Sequence, residues 1–275
     1  MADTHSPPSK RPRHHHHPHH SKPKPPPTPE IPSTNPFTTS FHYFRTELDE
    51  HHDRRERLIK ASRDVTALSK KIIFSLQRTR TFAQPLPAQI LATITPYHTS
   101  ITTTLTSIAP DLTPPNAHRY HRQISPGIQE LIEALAFQHY LTTGLLLPYT
   151  TARTLVPEGI DVHTSDYVLG VFDFVGEVMR WGITMVALRG GGEGGDEMVG
   201  RVLCDLRELR AELEALGTSD GGGRFFGREW EKKVEVMRTC VQKVENAVCG
   251  VVVRGSEMPP GWVPDDGDGE RLGRD

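Results

Sequence analysis

From Phe37 to Gln84 the chain contains neither proline nor glycine, and apolar residues recur there at Phe41, Phe44, Leu48, Leu58, Val65, Ile72, Ile73 and Leu76. Such spacing repeats with a helical period, so the segment predicts one long amphipathic helix. A helix of this kind must bury its apolar side against other elements. The rest of the pattern supplies more helices. Pro85, Pro87, Pro96 and Pro110 punctuate a Thr-rich stretch carrying Ile90, Leu91, Ile94, Ile101, Leu105 and Ile108, which predicts a shorter, interrupted helix. Residues Ala117 to Leu147 read as helical with a break near Ser125-Pro126-Gly127, on the apolar set Ile128, Leu131, Ile132, Leu135, Tyr140 and Leu145. A loop with Pro148, Pro157 and Gly159 follows, and Ser165 is placed to cap a helix running to about Leu188. Two further helices are expected near 196–216 and 228–249, and period-2 alternation is scarce outside Val251–Val253. The expected fold is all-α, a bundle of about seven helices over residues 37–262.

Outside that body the composition changes. Eleven of the 23 prolines fall within residues 1–36, and no glycine precedes Gly127. Proline lacks an N–H donor and the segment has few apolar residues to offset ordering entropy, so 1–36 is expected to be a disordered basic tail. It carries a histidine tract, His14–His20, beside basic clusters at Lys10–Arg13 and Lys22–Lys24. Metal binding and nuclear import are the functional readings of such tracts, and low-complexity tails carry both patterns commonly without either use. Residues 263–275 read as a disordered acidic tail, and the runs Gly190–Gly195 and Gly221–Gly223 as inter-helix loops. With no strand before it and no Lys/Ser partner, the first run is no phosphate cradle.

Several classes are excluded. No apolar run approaches the roughly 20 residues that span a bilayer, and the basic start lacks the apolar core of a signal peptide, so a soluble intracellular protein without a membrane partner is expected. Cys204, Cys240 and Cys249 have no zinc-ligand spacing and read as reduced structural thiols. Formal net charge is −2; residues 1–36 contribute +3, which leaves −5 for the rest. That balance excludes a globally basic nucleic-acid binder but not a local basic face. Arg54, Arg55, Arg57 and Lys60 are the candidates for such a face, on the first long helix.

Two helices place acids among apolar neighbours. In IQELIEALAF, Glu130 and Glu133 stand three apart; in DYVLGVFDFVGEVMRW, Asp173 and Glu177 stand four apart. The pairs lie about 60° and about 40° apart on their helices, so each forms a strip. Gly170 and Gly176 leave room beside the second strip. Bundles compensate inward carboxylates with divalent cations, and an all-oxygen set suits Mg²⁺ or Mn²⁺. Such a centre hydrolyses phosphodiesters by activating water and neutralising a phosphoryl oxygen. The competing reading is ordinary ion pairing, for example with Arg180. A di-iron centre needs E-x-x-H on two helices, and neither acid strip has it. Four carboxylates that share a cation should converge on one point.

The blocks FRTELDEHHDRRERLIKASRDVTALSKKIIFSLQR (Phe44–Arg78), HRQISPGIQELIEALAFQHYL (His121–Leu141), DYVLGVFDFVGEVMR (Asp166–Arg180) and KVENAVCGVVVRGSEMP (Lys243–Pro259) together resemble the translin superfamily, in the branch that partners translin itself. The resemblance implies an all-α fold of about seven helices and a hetero-oligomer with translin enclosing nucleic acid in a hollow shell. It also implies Mg²⁺-dependent endoribonuclease activity on single-stranded RNA, with DNA a further possible ligand, in cytoplasm and nucleus. This branch is implied to be the catalytic subunit, its metal-binding and catalytic acids falling on Glu130, Glu133, Asp173 and Glu177. The alternative is a non-catalytic binding or scaffold subunit that stabilises translin. Pro126 departs from the family pattern and predicts a kink just ahead of Glu130.

Overall fold

The computed structural model describes residues 35–189, 195–218 and 228–257. Seven α-helices account for most of these: α1 (Thr38–Leu76), α2 (Ala88–Ile108), α3 (Asn116–Thr143), α4 (Tyr149–Leu155), α5 (Thr164–Arg189), α6 (Gly195–Thr218) and α7 (Arg228–Glu257). A 3₁₀ turn, Ala109–Leu112, joins α2 to the segment before α3, and no strand occurs among the described residues. The expected all-α architecture is observed. The expectations for residues 1–34 and 258–275, and for the two Gly runs save Gly195, lie outside the described residues.

The described residues fall into two compact units, divided between Glu47 and Leu48. In the first, Phe37 just before α1 and Phe41, Tyr43 and Phe44 in its opening turns are exposed, and Phe41 meets Phe44 edge-on with ring centroids 6.1 Å apart. Phe41 and Phe44 are therefore not the core residues their spacing predicts; exposed Leu48, in the second unit, is not either.

The core of the second unit begins at Leu58. Leu58, Val65, Ile72 and Leu76 of α1 are fully buried, as are Ile128, Ile132, Phe137 and Leu141 of α3 and Trp181 of α5. Helix α5 packs against α3, α4, α6 and α7. Val171, Phe172, Phe174, Val175, Val178 and Trp181 are all buried, so α5 is apolar around most of its circumference. Asp173 and Glu177 interrupt that surface on a single strip.

Helix α3 ends at Thr143, short of Leu147, and α7 runs past 249 to Glu257, through Val251–Val253; three further features differ from expectation. Helix α1 stops at Leu76, not Gln84: Thr79 N donates to the Leu76 carbonyl, and Trp181 Nε1 donates to the Thr79 carbonyl at 2.8 Å, turning the chain away. The Pro148–Pro157 stretch holds a short helix, α4, with Pro148 at its N-cap and Ala152 N bonded to the Pro148 carbonyl. Neither internal proline interrupts its helix: Pro96 lies within α2 on an exposed face, and Pro126 lies within an unbroken α3. A proline inside a helix removes a donor and crowds the preceding turn. At Pro126 the neighbouring helix supports the turn. Gly127 N donates to Ser62 Oγ at 3.0 Å, and that hydroxyl lies 3.4 Å from the Ile124 carbonyl. A Cβ at Gly127 would stand 2.8 Å from the Ser62 carbonyl oxygen, so the glycine is what lets α1 come this close.

Candidate active site

Glu130 and Glu133 on α3 and Asp173 and Glu177 on α5 line one cavity of about 790 Å³. Lys70, Ile73 and Phe74 from the end of α1, Gln77 from the turn after it and Arg180 from α5 complete its wall. The two acid strips face each other because α3 and α5 approach closely at Gly170. A Cβ there would stand 2.8 Å from the Gln129 carbonyl and 2.9 Å from Ile132, the residues flanking the two glutamates. Gly176 meets nothing within 4 Å. Of the two glycines that bracket Asp173, only Gly170 sets the spacing. Gly170→Ala is therefore expected to cost about 1–3 kcal/mol by overpacking, whereas Gly176→Ala should add about 0.5–1 kcal/mol by removing a helix-interior glycine. Paired thermal melts check the opposite signs.

Three of the four carboxylates have cationic partners. Lys70 Nζ lies 3.2 Å from Glu130 Oε1, Arg180 Nη1 lies 3.1 Å from Glu177 Oε1, and Lys233 of α7 binds Asp173. Gln77 Nε2 also donates to Glu177, to Oε2 at 2.7 Å and to its carbonyl at 2.9 Å. Glu133 is 8% exposed and has no ion pair or hydrogen bond among the described residues. Burial pushes its carboxyl up to about 8, helped by the charges of Asp173, Glu130 and Glu177 and opposed by Lys233.

The donor set, four carboxylates and one side-chain amide carbonyl, is of the kind that hard divalent cations take. The side chains do not converge as a shared cation requires. Among the described residues no three His, Cys, Asp or Glu groups are gathered tightly enough to hold a metal ion. Three of the carboxylates are instead engaged by Lys70, Arg180 and Lys233.

The four basic candidates are dispersed. Arg57 grips Asp111 with Nε and Nη2 at 2.9 and 2.8 Å, and Arg54 reaches Asp111 at 3.3 Å and Glu50 at 2.5 Å. Both are committed to acids, and Asp111 is held below the usual carboxylate range, chiefly by its hydrogen bond from Arg57. Arg55 pairs with exposed Glu56, and Lys60 is exposed.

Asp166 stands outside both acid strips, and no local pattern marks it. This residue is 1% exposed in the first turn of α5, and it accepts bonds from His121 Nε2 at 2.8 Å, Ser125 Oγ at 2.5 Å and Gln129 Nε2 at 3.0 Å. Its donors are all on α3, spread over two turns before Glu130, so the network fixes how the start of α5 lies against α3. Burial alone would raise Asp166; the three donors outweigh it and hold the carboxyl low. The bond to Asp166 raises His121 against the opposing effect of burial. The three cysteines are free thiols, with only Cys240 buried, and no helix among the described residues is long and apolar enough to cross a membrane.

Comparison with known proteins adds three findings. The sequence model of the Translin family matches residues 53–255. Translin-associated protein X of Rattus norvegicus is 31% identical over 257 residues, covering 85% of this chain and 84% of that protein; the Schizosaccharomyces pombe homolog is 30% identical over 218 residues, covering 78% and 87%. The crystal structure of apo-NeC3PO superposes with a TM-score of 0.59 at 17% identity, covering 80% of this chain and 99% of that one, a likeness of fold.

Proposed function

The chain belongs to the translin family, and on that premise we propose that it is the catalytic subunit of a complex with translin, a Mg²⁺-dependent endoribonuclease acting on single-stranded RNA. The reading rests on one observation above all: Glu130, Glu133, Asp173 and Glu177, from two facing helices, line a single cavity. To hold Mg²⁺ or Mn²⁺ these carboxylates would have to exchange their partners Lys70, Arg180 and Lys233 for the ion and draw together; the ion would then supply Lewis-acid stabilisation of the phosphoryl oxygens and a water of lowered pKa.

The chain's own residues divide the remaining work. Glu133, the one carboxylate of the four without a cationic partner among the described residues, handles the proton: beside a bound cation it would be ionised and its carboxylate accepts one from the attacking water. Gln77 and Arg180 fix the carboxylate of Glu177 from two sides. Lys70 and Arg180, at the cavity wall, attract the phosphate. The exposed aromatics Phe37, Phe41 and Phe44 at the start of α1 offer apolar area suited to a partner subunit.

A second reading, a nucleic-acid-binding scaffold that stabilises translin, is favoured by the ion pairs at Lys70, Arg180 and Lys233, which make the acids structural. Cleavage of single-stranded RNA by the chain co-purified with its translin partner separates the two. The catalytic reading expects cleavage with Mg²⁺, none with chelator, and a loss of roughly a hundredfold or more in Glu130→Ala and Asp173→Ala. Unchanged cleavage in both variants rejects it, and RNA binding without cleavage by the wild type establishes the scaffold.

A further inference from the structure

We propose that a basic groove beside the acid cavity, carried by Arg55, Arg63, Lys70 and Arg122, binds the phosphodiester backbone of single-stranded RNA and leads it to the acids; this deepens the function proposed above and rests on it. The groove, about 560 Å³, lies between α1 and α3. Its wall includes Ser62 and Pro126, the point where the two helices meet. Lys70 lines both this groove and the acid cavity, so the two spaces adjoin.

Charge argues for the ligand. The chain beyond residue 36 is net negative, yet the groove is lined by four cations and no acid. Arg63 and Arg122 are exposed and make no ion pair among the described residues; the pairs of Arg55 with exposed Glu56 and of exposed Lys70 with Glu130 are of the weak surface kind. This separates them from Arg54 and Arg57, whose charge is spent on Asp111. Arg55, Arg63 and Lys70 recur along one face of α1 at steps of eight and seven, which at 1.5 Å per residue spans about 22 Å. A cationic strip of that length tracks a backbone of several nucleotides rather than one isolated anion.

Two further groups fit a nucleic-acid strand. One turn beyond Lys70, Phe74 lines the acid cavity and is 71% exposed, a ring available for stacking by a base next to the scissile phosphate. Gln123 also lines the groove, and its side-chain oxygen is buried without a hydrogen-bond partner, an acceptor still owed a donor.

The test uses the complex with translin and a fluorescently labelled oligouridine, with binding followed by anisotropy in chelator over a series of salt concentrations. Removing two phosphate contacts should lower the slope of log K against log salt by about 1.4 and weaken binding roughly tenfold or more in Arg63→Ala/Arg122→Ala. The charge-preserving Arg63→Lys/Arg122→Lys pair should retain most of the slope, and Arg207→Ala on α6 should leave it unchanged. With Mg²⁺ present, the alanine pair should raise KM and leave kcat. Wild-type affinity and slope in the alanine pair overturn the proposal, as does an equal loss in Arg207→Ala. Because binding is read in chelator, a wild type that binds through the groove but does not cleave rejects the catalytic function alone, and normal cleavage with unaltered binding in the alanine pair rejects the groove alone.

Discussion

Glu133→Gln should melt about 10 °C above the wild type at pH 8.5 and at nearly the same temperature below pH 4.5, measured in chelator. The carboxyl sits near 8 in the folded chain against an ordinary value of 4.5. An acid raised on folding binds more protons in the native than in the unfolded state between those two values. Stability is therefore full below about 4.5 and falls as pH rises toward 8. At 1.36 kcal/mol per pKa unit the loss is on the order of 4–5 kcal/mol, and a chain of this size shifts by about 2–4 °C per kcal/mol. Glutamine has the shape of the protonated acid and never ionises, so it removes the loss. The same substitution should cut cleavage by about 10²- to 10⁴-fold, as loss of a proton-transfer group does. A variant both more stable and less active is what a buried catalytic carboxylate produces. Parallel pH profiles for the two proteins would show instead that Glu133 is not held protonated.

Asp166→Ala should destabilise the fold by about 3–5 kcal/mol, because removing one partner of a buried ion pair leaves the rest of the network unsatisfied. His121, Ser125 and Gln129 all donate to this carboxylate, and each would lose its acceptor. The sign of the pH dependence follows from both partners. Asp166, lowered on folding, contributes fully above about 3.8 and less as pH falls through its folded value. His121, raised on folding, contributes fully below about 6.5 and less as pH rises through its folded value. The gap between wild type and variant should be widest near pH 5–6 and should narrow at pH 8.5, where the bonds from Ser125 and Gln129 remain. Melting curves at the two pH values measure this. A gap of equal size at both would mean the histidine charge contributes nothing.

The acid strips were legible because each lies within one helix, where an i, i+3 or i, i+4 spacing fixes the face. Their partners were not. Lys70, Gln77 and Lys233 come from α1, the turn after it and α7, and no local pattern announces that their side chains meet carboxylates far away in sequence. The same limit applies to the basic candidates: density of charge singled out Arg54, Arg55, Arg57 and Lys60 together, and only the fold shows that Arg54 and Arg57 meet Asp111 while Arg55 lines the space between α1 and α3. Pro126 illustrates the opposite failure. Local chemistry predicts a break, and the contact with Ser62 from another helix accompanies a helix that runs on. Asp166 went unnoticed because a single acid after a cap position looks like an ordinary first-turn residue; only burial and three donors distinguish it. Helix number and type were legible throughout the described residues except at α4, whose seven residues are too few to show a period.

The central claim is that Glu130, Glu133, Asp173 and Glu177 form one divalent-cation centre for RNA cleavage. Anomalous diffraction from crystals of the translin complex soaked in Mn²⁺ tests it most directly. A peak is expected in the cavity between α3 and α5, with Lys70 and Lys233 drawn away from Glu130 and Asp173. A cleaving complex whose Mn²⁺ lies elsewhere, with those ion pairs intact, would contradict it.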